Sequence, residues 1–153
     1  MADARGSGHD PFEQGGVPTP EGPPADGEVY DWYTRGLELL DGGNPAAASQ
    51  LLTRAAAAEP DSRSIREALA RAQFDAEMYS DAVESFRAIV ETNPDDDYAQ
   101  FGWGLAAARL GDMTTAVEHL ALAAAMRPDV RHYGTALRGA RATLRASTRR
   151  HGS

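Results

Sequence analysis

From Tyr30 onward the chain alternates between amphipathic stretches and short polar breaks. Apolar residues recur at helical spacing through Leu40, and Asp41-Gly42-Gly43-Asn44 then interrupts the pattern. Asn44 is a fair N-cap, and Pro45 stands at a first helical position, where a missing N–H costs nothing. The pattern predicts a second helix from Pro45 to about Ala58, which must stop before Pro60. Asp61 or Ser62 then caps a helix over about 63–76, and its partner over about 79–92 ends before Pro94. A third pair, about 96–110 and 113–126, is divided by Gly111-Asp112 and closed by Pro128. Few β-branched residues occur and no strand-like alternation appears, so the expected fold class is all-α.

The breaks are periodic. Pro60, Pro94 and Pro128 stand 34 residues apart, and each is followed by an aspartate. That is the length of one helix–turn–helix unit, which cannot bury its apolar face until neighbours stack on it. Superimposing the segments 29–62, 63–96 and 97–130 aligns a small–large–small triplet in each second helix: Ala48/Leu52/Ala55, Ala82/Phe86/Ile89 and Ala116/Leu120/Ala123. The first helices show Trp32 and Gly36, Leu69 and Ala70, and Trp103 and Gly104, of which Gly36, Ala70 and Gly104 are in phase. Small residues let helix backbones approach while large ones fill the gaps.

These residues resemble the tetratricopeptide repeat, matched across 29–130. The resemblance implies antiparallel helix pairs stacked in a right-handed superhelix, an α-solenoid of about seven helices, with the residues above as repeat-packing positions. Arg66 and Gln100 depart from the family's bulky residue, and Gln73 and Ala107 from its usual tyrosine, which points to repeat 2 as the one with the loosest first helix. Residues 131–150 read as a capping helix: Tyr133, Leu137, Ala140 and Leu144 fall on one stripe, and Arg138, Arg141, Arg145 and Arg149 on another.

Composition narrows the function. Residues 1–28 contain six glycines and five prolines and almost no large apolar side chains, so they are expected to be disordered, as is the tail 151–153. Pro20-Glu21-Gly22-Pro23 has P-x-x-P spacing without a flanking anchor and reads as linker. The chain has no cysteine, and its four histidines are scattered, so no metal site and no cofactor is expected. There is no phosphate-binding loop, nucleophile elbow or metalloprotease motif, and no lysine, so the chain reads as not an enzyme. Nothing approaches the length of a membrane span or the layout of a secretory signal, which makes a cytoplasmic protein the expectation. The arginine-only, alanine-rich composition is that of a GC-rich, bacterial genome.

The resemblance implies that the first helix of each repeat lines a concave groove. By position this face holds Tyr30, Tyr33, Leu37 and Leu40, then Glu67, Arg71, Phe74 and Asp75, then Tyr98, Phe101, Leu105 and Arg109. Aromatic residues give large contact area for little lost entropy, so the expected partner is another protein, held as a peptide or a helix. The positions of the family's basic carboxylate clamp hold Tyr33, Leu37, Glu67 and Gly102, which disfavours that use. Residues 1–130 carry 23 acids against 9 arginines, a net of −14, and residues 131–153 carry 6 arginines and no acid. Asp95-Asp96-Asp97 therefore suits a ligand with basic residues, or simply complements a helix N-terminus. The arginine stripe is a solvated face, a contact to the acidic body of this chain or another copy, or a phosphate-binding surface for nucleic acid or a ribosome. The expected oligomeric state is a monomer or a weak dimer.

Overall fold

The computed structural model describes residue 12 and residues 27–152. Among these, seven helices and no strand occur: α1 (Gly27–Asp41), α2 (Pro45–Ala58), α3 (Arg63–Asp75), α4 (Tyr79–Thr92), α5 (Asp97–Arg109), α6 (Met113–Met126) and α7 (Arg131–Gly152). The breaks at Pro60, Pro94 and Pro128 all fall between helices, as the 34-residue period requires. The expected disorder of 1–28 and the P-x-x-P segment lie outside the described residues, apart from Phe12 and the first two residues of α1. Helix α7 continues to Gly152, two residues beyond the expected end.

The period extends to individual backbone hydrogen bonds. Each first helix ends in the same turn, with Asn44, Met78 and Asp112 donating to the carbonyls of Leu39, Gln73 and Ala107 at 2.7, 2.8 and 2.9 Å. Such a six-to-one bond needs a left-handed residue just before its donor. Gly43 (φ 84) and Gly111 (φ 86) supply it in two turns, and Glu77 (φ 64) supplies it in the third. The cap expected from the Asn44 side chain does not form, because its φ of −118 and ψ of 64 aim it elsewhere. The Asn44 amide closes the turn instead, and Pro45 follows without a donor to satisfy. Ser62, Asp96 and Asp112 do cap α3, α5 and α6, accepting from the amides of Ile65, Ala99 and Thr115 at 3.3, 2.9 and 3.2 Å.

The chain divides into two compact units, Met1–Met78 and Tyr79–Ser153, so the second repeat is split between them. In unit 1, α2 packs against α1 and α3. Val29, Tyr33, Leu40, Ala48, Leu52, Ala55, Ile65, Ala68 and Ala72 form its core, with Trp32, Leu37 and Leu69 at the edge. A Cβ on Gly36 would stand 2.7 Å from Leu52 Cγ, so only glycine permits this approach of α1 to α2. Helix α3 buries Ile65, Ala68, Ala70 and Ala72, and is as well seated as α1 despite the departure at Arg66.

In unit 2, α5 packs between α4 and α6, and α6 packs against α7. Ala82, Phe86, Ile89, Ala116, Leu120 and Ala123 are all buried. Two glycines on α5 receive large side chains: a Cβ on Gly102 would meet the Phe86 ring at 2.3 Å, and one on Gly104 would meet Leu120 Cγ at 2.7 Å. Tyr133, Leu137 and Ala140 of α7 are buried, and Leu144 is half-buried.

Candidate functional site

The groove residues expected from the repeat pattern fall on α1, α3 and α5. In unit 1, α1 touches α3, and on α1 Tyr30 is 44% exposed and Leu37 half-buried, while Leu40 is buried. Tyr33 is buried as well, and its phenol is pushed up to about 12, first by that burial. A hydrogen bond with the Ser64 side chain opposes the shift, and the nearby Glu67 carboxylate adds to it. On α3, Glu67, Arg71 and Phe74 are buried, and the Arg71 guanidinium stands 3.5 Å from the Asp75 carboxylate. Burying the Arg71 charge costs desolvation, which the partly exposed Asp75 carboxylate offsets.

Phe74 has a partner from far along the chain. Phe12 is fully buried, its ring 5.0 Å from that of Phe74 at an interplanar angle of 86°. This edge-to-face arrangement is a favoured aromatic geometry. Sequence reasoning missed Phe12 because its surroundings are glycine, proline and polar residues, which give no local reason to expect a buried side chain.

In unit 2, α7 covers Phe101. Phe101 of α5 lies 4.6 Å from Tyr133 and 5.1 Å from His132, ring centre to ring centre. The Tyr133 hydroxyl donates to Asp97 at 2.7 Å, and burial, then Asp97, holds its phenol well above the usual range. Tyr98 is buried, with the Phe86 ring 6.2 Å away. Leu105 is half-buried, and exposed Arg109 donates to the Tyr79 hydroxyl at 3.0 Å. Two of the three consecutive aspartates thus have internal uses, Asp96 as cap and Asp97 as acceptor, while Asp95 is exposed.

A buried polar cluster lies in the same unit. Gln100 donates from Nε2 to the Pro94 carbonyl at 3.0 Å, and its Oε1 lies 2.8 Å from His119 Nδ1. The Gln100 oxygen has only an acceptor role there, so Nδ1 carries the proton. The His119 ring stacks on Trp103, with centroids 3.6 Å apart and planes 17° apart. Burial lowers the His119 pKa, and Glu118 partly opposes that. Gln100 was legible as a departure from the family pattern, but its histidine partner was not.

Arg138, Arg141, Arg145 and Arg149 are all exposed on α7. Among the described residues, no group of three or more histidines and carboxylates could hold a metal ion. No helix among them is long and apolar enough to cross a membrane.

Two overlapping spans, residues 33–97 and 67–130, match the profile of the tetratricopeptide repeat. The chain belongs to the tetratricopeptide repeat family. Solved structures carry the same repeat fold at low identity. MamA MSR-1 has a TM-score of 0.69 at 22% identity, covering 76% of this chain and 67% of that one. The first repeat domain of Spaghetti (RPAP3), bound to the HSP90 peptide SRMEEVD, gives 0.72 at 18%, covering 76% and 93%. PcrH in complex with the chaperone binding region of PopB gives 0.61 at 14%, covering 78% and 96%. No curated protein matches the chain. In tetratricopeptide terms, Gly36 and Gly104 here fill the small-residue position of the first helix, against Leu52 and Leu120 of the second.

Proposed function

We propose that this tetratricopeptide repeat chain is a non-enzymatic interaction module that holds a peptide or helix of another protein against its first helices. The observation that carries this is the family's repeat running across residues 33–130, with Tyr30 and Leu37 of α1 presenting apolar surface to solvent. Two structures of the same fold hold protein ligands, an HSP90 peptide on RPAP3 and a region of PopB on PcrH. The ligand here differs from a carboxylate tail, because Tyr33, Leu37, Glu67 and Gly102 stand where a basic clamp would be needed. The acidic body favours a partner bearing basic residues, and a cytoplasmic setting suits such an adaptor. The reading in which the α7 arginines bind nucleic acid is not favoured, since the fold neighbours that support a function bind protein.

Affinity capture with mass spectrometry tests the proposal. The full chain should enrich a discrete protein, and Tyr30→Ala with Leu37→Ala should reduce its recovery at least about tenfold, the loss of about 1.4 kcal/mol. Unchanged recovery by that folded double variant, or no enriched protein, would overturn it.

A further inference from the structure

Phe12 is chemically out of place in its own segment. It is the one aromatic residue among residues 1–28, between Pro11 and Glu13 and followed by Gly15 and Gly16. Yet it is fully buried, edge-on to Phe74, a residue on the face that the interaction reading assigns to a partner. A lone aromatic anchor with polar and proline neighbours has the make-up of a short recognition peptide. The residue it meets, Phe74, is buried on α3, as are Arg71 and Glu67.

We propose that Phe12 is an intramolecular ligand of unit 1, holding the Phe74 subsite against a partner peptide that inserts an aromatic side chain of its own. The inference rests on the interaction reading above and adds both the partner's anchor chemistry and a means of regulation. A segment tethered to its own site is presented at an effective concentration of about 1 mM. Holding the subsite about nine-tenths of the time therefore needs an affinity of about 0.1 mM or tighter when the same segment is supplied separately. A partner of micromolar affinity displaces it readily, while weaker peptides are refused. Phe12 thereby sets a threshold on what this face accepts.

The test uses a synthetic peptide of residues 7–17 and the isotope-labelled full chain followed by NMR. Added to the Phe12→Ala chain, the peptide should shift the α3 amides around Phe74. The unmodified chain should respond at least about tenfold more weakly, and the same peptide with alanine for Phe12 should shift neither. In the capture experiment, Phe12→Ala should raise partner recovery. Equal response of both chains, no response of the variant up to millimolar peptide, or equal binding of the alanine peptide would overturn the proposal. Because the probe is the chain's own segment, such a result removes the internal ligand alone. The Tyr30 and Leu37 variants still judge the interaction reading independently.

Discussion

Each unit keeps an aromatic residue of its first-helix face from water, Phe74 in unit 1 and Phe101 in unit 2, and the two covers differ in kind. Phe101 is covered by α7, a helix of 22 residues that also buries Leu137 and Ala140. Phe74 meets the ring of Phe12, a residue from 62 positions earlier in the sequence. A helix seated by several buried residues opens only when much of its interface is lost together. The edge-to-face pair of Phe12 and Phe74 contributes about 0.5–1.5 kcal/mol beyond the area it buries. The first arrangement is part of the fold, and the second is the one proposed to exchange with a partner.

The sharpest way to break that comparison is to truncate both covers and measure stability by chemical denaturation. Tyr133→Ala removes a fully buried ring and the hydroxyl bond to Asp97, so it should cost about 3–5 kcal/mol. Phe12→Ala should cost far less, about 1 kcal/mol. Burying a phenylalanine contributes about 2 kcal/mol, and ordering its backbone takes back about 1 kcal/mol or more. Comparable losses from the two substitutions would make Phe12 a core residue and end its reading as a ligand.

Turns give a second, smaller contrast. Gly43, Glu77 and Gly111 stand 34 residues apart at the same left-handed position, and only Glu77 has a Cβ there. A side chain in that region costs about 1 kcal/mol, which glycine avoids. Glu77→Gly should therefore raise stability by roughly 0.5–1 kcal/mol, read from the shift in denaturation midpoint. Gly111→Ala should lower stability by about 1 kcal/mol, although nothing crowds the added methyl. Opposite signs at equivalent positions would show that backbone conformation, not contact, decides. Like signs would refute that.

Much of this was legible from sequence, for identifiable reasons. Helix ends are local: Pro60, Pro94 and Pro128 cannot continue a helix, and Gly43 and Gly111 favour the left-handed turn. The packing triplets are legible because period 34 and helical spacing together place Leu52 and Leu120 opposite Gly36 and Gly104. What covers the first-helix residues was legible only in part, because it depends on contacts between distant segments. Nothing near Phe12 indicates Phe74, whereas the Tyr133 stripe was legible as a cover for repeat 3 and only its particular contact with Phe101 was not. Gln100 signalled an irregularity, but a 19-residue separation hides its bond to His119.

That bond supplies the smallest contrast between the units. Unit 2 contains His119, whose pKa is held below its ordinary 6.5 mainly by burial, with Glu118 opposing. The described residues of unit 1 contain no histidine. A group whose pKa is depressed on folding binds more protons when unfolded, so stability falls as pH drops. The contribution is intact above pH 6.5 and is lost between there and the lower folded value. Protonation of Nε2 places a charge on a ring that Trp103 and the α5–α6 packing keep from water. The carboxylate of Asp129 is held below its usual range, first by its hydrogen bond with Arg127, and titrates at lower pH than this window. Thermal midpoints should therefore decline between pH 7 and pH 5. His119→Gln keeps a donor for Gln100 Oε1 without a titrating ring, and should flatten that decline. An equal slope in the variant would assign the acid sensitivity to other groups, and the buried cluster would then be a packing feature only.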